Sequence, residues 1–115
     1  MDMINFKTDY FGRHKIRILA DIKEDVFITG KIDNFRAYIG LLLVDIKYQR
    51  QGLGTKLIND FINIAKDRGV KTVYLRADVW DRGITYKDLI KFYEKNKFIC
   101  INDSKGTGML MKRSI

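Results

Sequence analysis

The 115 residues contain no proline, one cysteine, one histidine and one tryptophan. Without proline there is no rigid proline-rich linker, and no repeat or low-complexity tract takes its place, so nothing in the sequence marks a boundary between domains. Cys100 alone cannot make an internal disulfide or a cysteine zinc cluster, and His14 alone cannot make a histidine metal site, so no metal is expected. The setting of the cysteine, Phe98-Ile-Cys-Ile101, reads as a buried thiol rather than a nucleophile. No apolar run approaches the length of a membrane span, and residues 1–7 show neither a signal-peptide core nor an Arg/Ser-rich transit pattern. The expectation is a cytoplasmic protein without a membrane role.

What is present fits one unit. Hydrophobic residues make up 46% of the chain, enough at this length for one core but not two, so residues 1–115 read as a single domain. The formal net charge of +8 is unevenly placed: residues 1–46 carry seven basic and seven acidic side chains, and residues 47–115 carry fifteen and seven. A surface of this kind either attracts a polyanion, whether a phosphorylated cofactor or nucleic acid, or is no more than a solvated basic coat.

Residues 1–9 have no clear period and either pair as an edge strand or stay loose. Segments 14–22 and 26–32 alternate as strands around a turn at 23–25, and Asp33-Asn34 turns the chain into a central strand over about 37–46. Leu57, Ile58, Phe61, Ile62, Ile64 and Ala65 recur with helical spacing, and Arg68-Gly69 supplies a cation and a left-handed glycine to end that helix. A strand over 71–77 follows. The loop after it holds Trp80, read as a packing lid for the sheet edge. Thr85-Tyr-Lys-Asp88 resembles a capping box with Asp in place of Glu, and it opens a second helix over about 86–96. Strands at 97–101 and 108–113 close the chain around a turn at 102–106. The order is β-β-β-α-β-α-β-β, an α/β (α+β) domain with a mixed central sheet.

The most informative stretch joins the central strand to the first helix: an apolar run at 39–44, a basic turn, then Gln49-Arg50-Gln51-Gly52-Leu53-Gly54-Thr55. At a helix start the backbone N–H groups lack intrahelical partners and the dipole is positive, so a glycine loop that admits an anion becomes a phosphate cradle. Lys47, Arg50 and Lys56 lie around it in sequence. The spacing is neither that of a P-loop nor that of a dinucleotide fingerprint, and a ligand-free tight turn remains the alternative.

Gln49-Arg50-Gln51-Gly52-Leu53-Gly54 resembles the acetyl-CoA loop of the GNAT N-acetyltransferase superfamily, Gln/Arg-x-x-Gly-x-Gly/Ala directly after a strand. Leu89-Ile-Lys-Phe-Tyr93-Glu-Lys-Asn-Lys-Phe98 resembles a second segment of that family. The brevity of the chain, together with both segments, is also similar to very small phage-type members that include an anti-CRISPR acetyltransferase. Two departures stand out. The family's glycine before the phenylalanine is Lys97 here, which leaves Asn96 as the better residue for a left-handed turn. The two helices that many members insert between their first strands have no room, so that wall must be short, absent or supplied by a partner chain.

The resemblance implies an acetyl-CoA-dependent N-acetyltransferase. By it, the backbone of Val44, Asp45 and Ile46 would hold pantetheine, Gln49 to Thr55 would hold the pyrophosphate, and Tyr93 would act as general acid on the leaving sulfur. Tyr93 could equally be a core residue by its spacing. Asp45 and Tyr38 are the candidate bases, with bulk water as the alternative. The acceptor is expected to be a primary amine, preferably a lysine of a protein or nucleoprotein, since a +8 chain repels polyamines and very basic peptides. A homodimer is compatible with these features, and so is weak non-specific nucleic-acid binding. The competing functions are a basic nucleic-acid module, which lacks stacking aromatics and finger or helix-turn-helix patterns, and a non-catalytic acetyl-CoA-binding scaffold.

Overall fold

In the computed structural model, which describes residues 4–78, 85–102 and 109–115, the alternating segments form strands and the two segments of helical period form helices. The order is β1 (Phe6–Phe11), β2 (Lys15–Ala20), β3 (Val26–Asp33), β4 (Arg36–Val44), a 3-10 turn (Ile46–Tyr48), α1 (Leu53–Asp67), β5 (Thr72–Ala77), α2 (Tyr86–Lys95), β6 (Ile99–Asn102) and β7 (Met109–Ser114). Among the described residues the strands form one sheet in the order β1-β2-β3-β4-β5-β7-β6, with β4 and β5 the parallel pair. The α+β class is as expected, with a fourth strand ahead of α1. The N-terminal segment, which has no period of its own, pairs as the edge strand, from Phe6 against Ala20 to Phe11 against Lys15.

The core lies between the sheet and α1. Leu57, Ile58, Phe61, Ile62 and Ala65 are buried on the helix and join Ile16, Ile18, Ile28, Ala37 and Ile39 of the strands in one cluster. Burying a ring such as that of Phe61 contributes about 2–3 kcal/mol. Its seat depends on Gly30, where a β-carbon would stand 2.5 Å from the Phe61 ring and 2.6 Å from the Tyr38 carbonyl oxygen. α2 lies on the same face, since Tyr93 and Phe98 join the cluster and a β-carbon at Gly54 of α1 would meet Phe92 at 3.0 Å. Neither helix covers the opposite face.

The end of α1 follows the sequence closely. Gly69 is left-handed (φ +81°), its N–H donates to Lys66 O at 3.0 Å, and Val70 N–H donates to Ala65 O at 3.0 Å, which together satisfy the last carbonyls. The Thr85 hydroxyl caps α2 by accepting from Asp88 N–H at 3.1 Å. The other end of α2 departs from expectation: Lys97, not Asn96, is left-handed, with φ +70° against −90°. Asn96 is buried, its amide donates to Phe92 O at 2.9 Å, and its carbonyl accepts from Arg113 Nη1 at 3.3 Å, so the turn falls to the next residue. Cys100 is exposed rather than buried, because β6 is a sheet edge and only Phe98 of the apolar run reaches the core, while Ile99, Cys100 and Ile101 stay outside it. Trp80 and most of the 102–106 turn lie outside the described residues. No described helix is long and apolar enough to cross a membrane.

Candidate active site

One extra residue opens the sheet. β3 and β4 pair as Thr29 with Leu41 and then Gly30 with Ile39, so Gly40 has no cross-strand partner and forms a bulge. The parallel β4–β5 ladder runs from Arg36–Thr72 to Ile39–Leu75 and stops there. Beyond it β4 stays with β3 as far as Val44–Val26, and β5 stays with β7 as far as Ala77–Met109. The strands therefore part at Gly40, and among the described residues no strand pairs with the β5-side edge of β4 from that residue to its end. A cleft of about 570 Å³ occupies the opening, walled by β4, the glycine loop, β5 and α2.

The glycine loop forms one end of the cleft. Arg50 (φ +64°) and Gly52 (φ +79°) are both left-handed, and Gly52 is the N-cap of α1 without a side chain to close it. Lys56 N–H finds Gly52 O at 3.0 Å, whereas the N–H groups of Leu53, Gly54 and Thr55 precede the first intrahelical acceptor and sit at the positive end of the helix. No acidic residue occupies that first turn. Nothing lies within 4 Å of where a β-carbon on Gly52 would be, so the space above the loop is open. Gly54 has a different role: Phe92 presses against it, which brings α2 up to the helix start. The Gln49 amide donates to Val44 O at 3.0 Å and ties the loop to the last residue of β4.

Tyr93 forms the opposite wall. It is 6% exposed, packed edge-on with Phe92 and Phe98 at centroid distances of 5.4 and 6.0 Å. Loss of hydration on burial, helped by the nearby Asp78 charge, pushes its phenol up to about 12. The hydroxyl is therefore a proton donor throughout the neutral range. It faces the same cleft as the glycine loop.

Of the residues expected at the site, Val44, Gln49, Arg50, Gly52, Leu53, Gly54, Thr55 and Tyr93 line this cleft, and Asp45, Ile46 and Gln51 do not. Asp45 caps the 3-10 turn, its Oδ1 accepting from Lys47 N–H at 3.0 Å while its own N–H donates to Asp25 O at 2.8 Å, which gives no geometric support to a role as base. Tyr38 stacks on Tyr74 and lies outside the cleft lining. Among the cations expected around the loop only Arg50 lines the cleft. Lys47 pairs with Glu24 at 3.3 Å and Lys56 with Asp60 at 2.7 Å. Four charged residues on the walls, Arg76, Asp78, Asp88 and Lys95, have no site role in the sequence reading, where Asp88 enters only as part of the capping box. For Asp78 a signal existed: it follows a strand that runs parallel to its neighbour, and ligands gather at the carboxyl ends of such strands.

An open sheet edge beside a helix start that lacks a cap suits a long ligand with an amide-bearing arm and a phosphate end, and that fit can be compared with known proteins. The family model described as Acetyltransferase (GNAT) family matches residues 9–98. No curated protein sequence matches the chain. Among solved structures, the fold matches a GNAT family acetyltransferase from Elizabethkingia anophelis with acetyl-CoA bound, at 16% identity and a TM-score of 0.74, with all of both chains covered. It matches PaiA N-acetyltransferase from Thermoplasma acidophilum in complex with coenzyme A at 21% identity and a TM-score of 0.73, over 89% of this chain. It also matches the anti-CRISPR protein AcrVA5 at 28% identity and a TM-score of 0.69, over 87% of this chain. The chain spans 62% of the length of the Thermoplasma protein and 98% of AcrVA5.

Proposed function

The chain belongs to the acetyltransferase (GNAT) family, and we propose that it moves an acetyl group from acetyl-CoA to a primary amine, by preference a lysine side chain of another protein. The observation that carries this reading is one cleft running from the gap at Gly40 to the open start of α1, with Tyr93 on its wall. Acetyl-CoA, when bound, supplies an activated acyl thioester. The backbone edge of β4 after Gly40 would hold the pantetheine as an added strand, and the N–H groups of Leu53, Gly54 and Thr55 with Arg50 would hold the pyrophosphate.

Tyr93 would donate a hydrogen bond to the departing sulfur. A phenol pushed up to about 12 faces a thiol that titrates near 8.5, so handing over the proton completely is uphill by about 5 kcal/mol. Tyr93 is accordingly a donor that stabilises developing charge on sulfur, and the proton that balances the reaction is the one the amine loses on acylation. An alkylammonium titrates near 10.4, about six units above an ordinary carboxylate, so carboxylates in a cleft of this kind attract and orient an amine better than they deprotonate it. Water carries away the proton that the ammonium loses before it attacks, and the second proton, lost as the C–N bond forms and the C–S bond breaks, ends on the thiolate.

The experiment is thermal unfolding with acetyl-CoA, coenzyme A or ADP, followed by release of coenzyme A in the presence of a lysine peptide. A ligand at a hundredfold excess over its Kd stabilises by about 2.7 kcal/mol, roughly 10 °C in Tm for a domain of this size. Acetyl-CoA and coenzyme A should produce the shift, and ADP much less of it. No shift with either coenzyme would overturn the cofactor assignment, and a shift without transfer to any amine would favour the non-catalytic scaffold.

A further inference from the structure

The sheet face without helices carries a row of side chains that the strand registers set next to one another. Followed from edge to edge through paired residues, the row reads Phe11, Lys15, Lys31, Tyr38, Tyr74, Lys112, Ile99. With strands about 4.8 Å apart it extends about 29 Å. It contains three lysines and no carboxylate. Lys15 and Lys31 stand directly opposite each other, an arrangement that costs stability. Among the described residues neither has an ion-pair partner, and the neighbouring Arg17 is already paired with Asp9 at 2.9 Å.

The rings do not form a platform for nucleobases. Tyr38 and Tyr74 stack on each other with centroids 5.5 Å apart and planes 24° apart, and Lys31 Nζ lies 5.3 Å from the Tyr38 centroid. Both faces of Tyr38 are thus occupied. What the row offers outward is ammonium groups, which suit carboxylates. A groove of about 440 Å³ runs along its first part, from Phe11 to Tyr38, lined among others by Lys15, Lys31 and Gly40, and Lys112 lies beyond it. Gly40 also lines the cleft, so groove and cleft meet where β4 and β5 part.

We infer that this row docks the acceptor, and that the acceptor is a lysine flanked by aspartate and glutamate. Its amine enters the gap beside Gly40 while the flanking carboxylates meet Lys15, Lys31 and Lys112. The inference rests on the amine acetylation proposed above. A second copy of this chain is a poor occupant, since two-fold packing of this face would set lysine against lysine.

The test uses three end-blocked peptides, each with one lysine, flanked by Asp/Glu, by Ser/Gly or by Lys/Arg. Coenzyme A release is measured with wild type and a Lys15→Gln, Lys31→Gln double variant, and direct binding of a labelled acidic peptide is followed by fluorescence anisotropy. Wild type should prefer the acidic peptide. The double variant should lose about tenfold in kcat/KM on it through KM, because two exposed charge pairs with the peptide are lost, with kcat retained and Tm unchanged or raised, because the repulsion between Lys15 and Lys31 is relieved. Binding should fade at high salt as the charges are screened. Equal rates on all three peptides, or an acidic preference that survives the double substitution, would overturn the inference. So would a single-stranded oligonucleotide that binds more tightly and displaces the peptide. If no peptide is acetylated, the amine reading fails by itself and anisotropy still decides the row: acidic-peptide binding lost in the variant supports it, and no binding by wild type overturns it.

Discussion

Replacing Tyr93 by phenylalanine separates its packing from its proton. The ring is retained between Phe92 and Phe98, so below pH 9 the variant should keep stability to within about 1 kcal/mol, the usual net worth of one hydroxyl hydrogen bond. At higher pH the two proteins should diverge. In the unfolded chain the phenol titrates near 10, while in the folded chain burial and Asp78 hold it up at about 12. Below pH 10 both states keep the proton and the hydroxyl contributes its full stability. Between 10 and 12 the unfolded state ionises first, and stability falls by about 2–3 kcal/mol, complete once the pH passes 12. Every other side chain is common to both proteins, so subtracting the variant from wild type isolates Tyr93. The assay is the urea unfolding midpoint by circular dichroism from pH 8 to 11.5, with phenolate absorbance as a cross-check. A constant difference between the two proteins over that range would refute the burial of the hydroxyl. The same variant should retain acetyl-CoA binding while turnover falls roughly 100-fold, the scale for removing one donor to developing charge. Because Tyr93 keeps its proton from pH 6 to 10, the rise of the wild-type rate over that range should follow the acceptor amine and persist in the variant.

Gly30→Ala should destabilise by about 1–3 kcal/mol in chemical unfolding, because its methyl must displace the Phe61 ring and a carbonyl oxygen; a neutral outcome would mean the Phe61 seat is looser than drawn. Lys97→Gly should stabilise by about 0.5–1 kcal/mol by relieving the left-handed backbone at φ +70°, measured the same way, and a loss of stability would show that the lysine side chain contributes more than the strain costs. Gly54→Val should lower acetyl-CoA affinity in calorimetry and, through Phe92, also lower Tm. Gly52→Ala should leave Phe92 undisturbed and cost about 1 kcal/mol of backbone strain, and equal effects from the two glycines would erase the distinction between them.

Local chemistry was legible in the sequence wherever neighbours along the chain decide the outcome. Gly69 ends α1, Thr85 opens α2, and Gln49 to Thr55 makes the strand-to-helix loop, all through contacts within a few residues. What was hidden depends on partners far away in sequence. β1 takes its regularity from β2, and the exposure of Cys100 follows from the edge position of β6, which no stretch of 97–101 encodes. Asn96 lost the left-handed turn to Lys97 because Arg113, seventeen residues on, holds its carbonyl. The parting of β4 from β5 needs one unpaired residue at Gly40, visible only once both registers are known. The basic row is hidden more deeply still, since four successive pairings must be in place before Lys15, Lys31 and Lys112 share a line.

Two glycines with opposite neighbours set the width of the cleft. Gly30 lets Phe61 sink into the sheet, which draws α1 down onto β3 and β4. Gly54, at the start of the same helix, lets Phe92 close in and so fixes how near α2 can come. Since Tyr93 follows Phe92 on α2, the distance from its hydroxyl to the helix start is set by the Gly54–Phe92 contact rather than by the loop. A larger residue at Gly30, which lies outside the cleft lining, therefore moves a wall of the site without touching any ligand, whereas one at Gly54 both moves a wall and crowds the loop that faces the cleft. Loss of activity in such variants would be shared between binding and turnover, whereas removal of the Tyr93 hydroxyl would fall on turnover alone.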